Sequence, residues 1–181
     1  MSSLTSYLHV IERRRALEIP GYATLADVGF DGDYVSPYQI QSRSDEGPIV
    51  IAYNWLDVPS IKLHREILQK LGYLPVITFN KVMDRALDLA GLKRSQIYVT
   101  QAFHLLPQTR SQYIPQRDVD RSFDQITRHE IAGRQVIALG DASARACRRF
   151  GIRHAAVCHP SARGRTREEK AREIATALTG L

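Results

Sequence analysis

Apolar residues follow two rhythms along this chain. Short unbroken runs, Pro48-Ile49-Val50-Ile51-Ala52-Tyr53, Ile97-Tyr98-Val99-Thr100, Gln135-Val136-Ile137-Ala138-Leu139-Gly140 and Ala155-Ala156-Val157-Cys158, are bounded by turn residues. Runs of this length without polar alternation are the pattern of strands buried on both faces. Between them lie stretches with helical spacing: 59–71 from Pro59-Ser60, 80–90 up to Gly91, 118–131 up to Gly133, 142–150 closed by Gly151, and 165–179. Nearer the start, residues 4–16 place Leu4, Leu8, Ile11 and Ala16 near one helical face, while 20–47 is rich in Gly, Pro, Asp and Ser and reads as an extended approach. Strands alternating with helices predict an α/β fold, a three-layer αβα sandwich around a four-stranded parallel sheet. No linker or repeat divides the chain. Residues 1–181 are therefore expected to form one domain, with 1–47 as a loop-rich extension packed on its core.

Composition narrows the class. With 181 residues, 44% of them hydrophobic, the chain can bury a real core as one domain, the usual size being about 100–200 residues. No apolar run approaches the ~18 residues of a bilayer span. Glu12-Arg13-Arg14-Arg15 stands where a signal peptide would need an apolar stretch. Two cysteines, Cys147 and Cys158, are too few for a disulfide scaffold or a four-cysteine cluster. The expectation is a soluble cytosolic monomer, nucleoid-associated in a bacterium, with no membrane partner.

Charge adds a direction. Of a net +6, the segment Arg145–Arg172 carries nine Lys or Arg against two acids, leaving 16 basic and 17 acidic residues elsewhere. A segment that holds the whole excess has the form of a polyanion footprint, with a solvated helix face as the alternative. Arg145, Arg148 and Arg149 read as ordinary helix-surface charges.

In parallel α/β sheets, ligands bind beyond the carboxyl ends of the strands. Those positions hold Tyr53-Asn54-Trp55-Leu56-Asp57, Gln101-Ala102-Phe103-His104, Gly140-Asp141-Ala142, and His159-Pro160-Ser161-Ala162-Arg163-Gly164-Arg165. The set gathers amides, imidazole, aromatic rings and a basic loop. Neither GxGxxG nor GxxxxGK occurs, against a dinucleotide or nucleoside-triphosphate enzyme, and no GxSxG elbow occurs, against an acyl hydrolase. A metal at Cys158-His159 with His154 and Cys147 is set aside, because no tight C-x-x-C pair exists and adjacent strand residues point to opposite faces.

Over about residues 48–178 the chain resembles the uracil-DNA glycosylase superfamily. Val82-Met83-Asp84-Arg85-Ala86-Leu87 through Ala90-Gly91-Leu92, then Ile97 to Ala102, look like the helix and strand before that family's Pro-rich loop. Val136 to Gly140, with Ala142 and Ala144, looks like its third strand and helix. His159-Pro160-Ser161 matches its second catalytic motif, with Arg163 at the position of its DNA-wedge residue. The first motif departs: where members carry Gly-x-Asn-Pro-Gly or a carboxylate, Ala52-Tyr53-Asn54-Trp55-Leu56 keeps only the Asn. The Fe–S cysteines of the thermostable branches are missing as well. The resemblance is to a divergent member.

What the resemblance implies is a monofunctional glycosylase that flips uracil out of DNA and hydrolyses its N-glycosidic bond, initiating base excision repair without metal or organic cofactor. Breaking that bond leaves positive charge on the sugar and negative charge on the base. His159 is then the electrophile that steadies the base anion. Asn54 would position the water, with Asp57 three residues on as its rival. Gln101 stands where the family reads the base edge, since a side-chain amide offers one donor group and one acceptor. Tyr53, Trp55, Tyr73 and Phe79 compete for the stacking face. Ser161, Arg163 and Arg165 form the loop that meets DNA. Two other functions stay open: a module of the same fold that binds uracil-DNA or abasic sites with little turnover, and an unrelated small-molecule hydrolase on the same architecture.

Overall fold

Four short runs hydrogen-bond side by side as β1 (Ile49–Ala52), β2 (Tyr98–Gln101), β3 (Val136–Leu139) and β4 (Ala155–Val157); the first three are buried throughout, while β4, expected to be buried on both faces, is an edge strand that buries only Val157. Every pairing is parallel and the spatial order is β2-β1-β3-β4, so β1 and β3 are interior strands. Parallel strands need crossovers, supplied by α2 (Val58–Leu63), α3 (Arg65–Leu71), α4 (Thr78–Ala90), α5 (Gln116–Gln125) and α6 (Gly140–Arg149), while α1 (Ser3–Ala16) precedes the sheet and α7 (Arg167–Thr179) follows it. The expected αβα sandwich is the fold of the chain. The computed structural model describes residues 3–180, so residues 1, 2 and 181 of the expected domain lie outside the described residues.

Alternation along the strands sends side chains into two cores. Val50, Ala52, Val99, Ile137, Leu139 and Val157 face one layer, packed on Phe79, Val82, Met83 and Ala86 of α4 and Ala171, Ile174 and Leu178 of α7. Ile49, Ile51, Tyr98, Val136 and Ala138 face the other, packed on α1, α5 and α6. Residues 17–47 contribute to both through Leu17, Leu25, Val28, Phe30, Val35 and Tyr38. They also cover the open edge of β2, where Val99 N–H donates to Ser42 O and Ser44 N–H to Ile97 O. No described helix is long and apolar enough to cross a membrane.

Three expectations are corrected. In α1 the buried stripe is Val10, Ile11 and Arg14; Leu4, Leu8 and Ala16 stay exposed. Arg14 can be buried because its guanidinium pairs with Asp31 and donates to Gly32 O and Tyr34 O. The stretch 59–71 is two helices, broken at His64, whose φ −113° and ψ 26° fit neither. The second is pinned by Arg65, which donates to Val28 O across the fold. The stretch 118–131 is α5 followed by a tight 3-10 turn, Thr127–His129. That turn delivers Glu130 inward, where its carboxylate accepts hydrogen bonds from Tyr98 Oη, Thr100 Oγ1 and Gln39 Nε2.

Candidate active site

The register sets the strand ends abreast: Ala52 beside Gln101, Ile51 beside Ala138, and Leu139 beside Val157. Asn54 therefore follows the central strand, Gly140 the strand next to it and His159 the outer one. Neighbouring strands lie about 4.8 Å apart, so the backbones leading to Asn54 and His159 are separated by roughly 10 Å.

Gly140 is what brings His159 over the sheet. It opens α6 with φ +84°, and a Cβ there would lie 2.9 Å from His159 Cβ. With no side chain on Gly140, the histidine packs directly against the end of β3. His159 begins a turn closed by Ala162 N–H donating to His159 O at 2.9 Å. Inside it, Ser161 N–H donates to His159 Nδ1 at 3.0 Å. An accepting Nδ1 carries no proton, so the neutral ring bears its hydrogen on Nε2. Burial, then the nearby Lys170 ammonium, hold the His159 pKa below the usual imidazole value. The ring is a neutral N–H donor at pH 7.

Phe79 of α4 supplies the face beside it, ring centroid 5.6 Å from that of His159. Tyr38 stacks on Phe79 from behind at 6.2 Å. Sequence reasoning missed Tyr38, which lies in the stretch read as loop-rich and carries no strand or helix rhythm. Gln101, on the same sheet face as Ala52 and Val99, has its Oε1 held by Ser36 Oγ at 2.6 Å, while its amide NH2 makes no hydrogen bond among the described residues. Asn54 is half-buried and its side chain is likewise unpartnered among the described residues. Asp57 is buried at the start of α2, and no backbone N–H there is capped by its carboxylate.

The other aromatic candidates lie elsewhere. Trp55 is core: it is 5% exposed, edge-on to Phe30, with Nε1 donating to Gly72 O at 2.9 Å. Tyr53 packs on the opposite sheet face from Phe79. Tyr73 lies under the Arg94 guanidinium, 3.7 Å from its ring centroid. Of the four rings considered, Phe79 is the one in contact with His159.

The basic segment is less concentrated in space than in sequence. Arg149 pairs with Asp120, Arg165 with Glu173 and Arg172 with Glu168. Lys170 is buried. Arg153 precedes β4 and Arg163 follows it, so they stand at opposite ends of the sheet. Near His159, Ser161, Arg163 and Arg167 are exposed, and the two arginines have no ion-pair partner among the described residues. Contiguity hid this dispersal, because α6 runs back down the sheet and carries Arg145, Arg148 and Arg149 with it.

Among the described residues, no group of three or more His, Cys, Asp or Glu is arranged to hold a metal ion. Cys147 is buried in the second core, which pushes its thiol up to about 12, and Cys158 is tied through its N–H to Glu173 Oε1. No protein-family model and no curated protein matches this chain.

Proposed function

We propose that the protein is a monofunctional DNA glycosylase that removes uracil from DNA by hydrolysis and leaves an abasic site. The observation that carries this reading is His159: a neutral imidazole at a strand end, Nδ1 occupied by Ser161 N–H, beside the ring of Phe79. A donor fixed before reaction stabilises charge that develops only in the transition state, and one such donor typically contributes about 2.7–4 kcal/mol.

The chemistry follows from that donor. The C1′–N1 bond breaks with its electron pair leaving on the base, and His159 Nε2–H donates to the base carbonyl where the negative charge gathers. The sugar, now cationic at C1′, takes up a water whose proton passes to solvent. Capture by a cation needs little base strength, so the amide oxygen of Asn54 suffices to orient the water, and Asp57 remains the carboxylate alternative. The Gln101 amide NH2 suits a base carbonyl, and Phe79 offers the stacking face. Ser161 and Arg163 flank the turn where DNA would pass. Arg165, paired with Glu173, would have to give up that partner to meet a phosphate.

A second reading is favoured by the first motif, where Tyr53 and Trp55 point into cores rather than into the crevice. On it, the fold binds uracil-DNA or abasic sites with little turnover. One experiment separates the two. Labelled oligonucleotides with a single uracil are incubated with the protein and then treated with alkali. Strand breaks at the uracil support the glycosylase, a gel shift without breaks supports the binding module, and neither result removes both.

A further inference from the structure

A buried lysine needs a reason, because an ammonium almost never leaves water unless it is paired. Lys170 is 3% exposed and forms no salt bridge to an acid among the described residues. Its Nζ donates to Ala162 O at 3.0 Å. Ala162 is the residue that closes the His159 turn, through its N–H to His159 O. One residue before His159, Glu173 Oε1 takes the Cys158 N–H at 2.8 Å. Helix α7 thus grips the strand-end turn on both sides of the histidine. The helix is itself fixed by a reciprocal cap, Thr166 with Glu169, and by its packing on α4.

The two grips differ in charge. The elements packed around His159 are α4, which presents Phe79, the start of α6, which presents Gly140, and α7. Burial is the first thing that opposes protonation of the ring, and Lys170 is the charged group that adds to it. A second positive charge on imidazolium would also require the Ser161 N–H to lose its acceptor.

We propose that Lys170 is a positioning residue for His159: its Nζ fixes the turn that holds the imidazole, through Ala162 O, and brings a side chain with no acidic partner among the described residues up to that turn. Its value to the reaction rests on the glycosylase reading above, while its hold on the ring does not. The sequence carries the signal, since Lys170 falls four residues before Ile174 and eight before Leu178, on the apolar stripe of α7.

The test uses Lys170→Met, which keeps the stem and removes the charge, with Glu173→Gln as the control for the anionic grip. Imidazole NMR titration of the free protein, with His159 assigned from His159→Gln, reads the ring directly. In Lys170→Met its midpoint should rise toward the ordinary imidazole value; in Glu173→Gln it should not rise. Single-turnover cleavage of a uracil oligonucleotide by Lys170→Met should slow about tenfold at pH 6 and less at pH 8. A midpoint that does not rise in Lys170→Met, or that rises equally in Glu173→Gln, overturns the proposal even where cleavage falls. A midpoint that rises only in Lys170→Met, in a protein that cleaves nothing, leaves Lys170 as the ring's positioning residue and removes the glycosylase reading instead.

Discussion

Two histidines follow strands in this molecule, and their surroundings give them opposite fates. His104, three residues beyond β2, is 1% exposed, with Nε2 3.1 Å from Thr127 Oγ1 and its backbone N–H held by Ser122 Oγ. Burial, reinforced by Arg14, pulls its pKa down to about 3. His159, two residues beyond β4, is half-buried and keeps its donor edge free. The first is enclosed among buried groups, with its Nδ1 unpartnered among the described residues, and the second is displayed at the strand ends. Strand-end position is shared; what differs is the layer that covers it. Thr127 and Ser122 hold His104 in the interior, while Phe79, Gly140, Ser161 and the α7 grips border His159.

The sharpest way to break this contrast is to remove each ring. His159→Ala should lower single-turnover cleavage by about 10²–10³ while leaving the melting temperature nearly unchanged. His104→Ala should do the reverse, lowering stability by about 2–4 kcal/mol in denaturant melts with cleavage retained in the folded fraction. If both variants lose the same property, the division between a displayed and a structural histidine is wrong.

A smaller perturbation moves His159 without deleting it. Gly140→Ala puts a methyl 2.9 Å from His159 Cβ at a φ of +84°. The strain should lower stability by about 1–2 kcal/mol, and displacement of the ring should slow cleavage about 10–100-fold. Unchanged cleavage would mean that the ring does not need the slot Gly140 provides.

The polar network on the His104 side makes its own prediction. Burial raises the Glu130 pKa from 4.5 to about 7, against the hydrogen bonds from Thr100, Tyr98 and Gln39 that lower it. The folded state therefore binds this proton more tightly than the unfolded chain does. The group is no burden below about 4.5, destabilises increasingly as pH rises toward 7, and does so by a constant amount above that. Glu130→Gln should accordingly gain more in melting temperature over the wild type at pH 8 than at pH 5. A gain independent of pH would show that Glu130 does not carry this linkage.

The finest distinction lies in the basic loop. Arg163→Ala should slow cleavage of a paired uracil about tenfold and of a single-stranded one hardly at all, because only the duplex has a stack to break. Arg165→Ala, already paired with Glu173, should affect both substrates equally and only slightly. Equal losses for Arg163→Ala would reduce it to a phosphate contact.

Much of this is written openly in the chain. The four strands were legible because each is a short run between turn residues, buried on both faces in β1, β2 and β3 though not in β4, and helices near 78–90 and 140–149 because glycine or a strand marks their ends. The break at His64 was not, since it answers to Arg65 reaching Val28 far away in sequence. Glu130 falls inside the stretch 118–131 expected to be helical, and its partners Tyr98, Thr100 and Gln39 lie 30 to 91 residues distant. At the site, the order of strand-end residues pointed to His159, but no local pattern could tell that Trp55 turns into the core while Phe79 meets the imidazole. Lys170 broke an apolar stripe and could have been noticed on that ground alone.

The outer strand has a dynamic consequence. β4 is three residues long, pairs on one side only, and exposes Ala156 between a half-buried Ala155 and a buried Val157. Free energies of local opening track such differences in burial and pairing, so the amides of β4 and the turn after it should exchange with solvent deuterium well before those of β1, which is paired on both sides and fully buried. His159 rides on the part of the sheet that opens most readily, and Asn54 on the part that opens last. The two halves of the crevice thus differ in rigidity, a fixed floor at β1 and a yielding wall at β4 clasped by one helix; on the proposed glycosylase reading, the floor would lie beneath the sugar and the wall would admit the nucleotide.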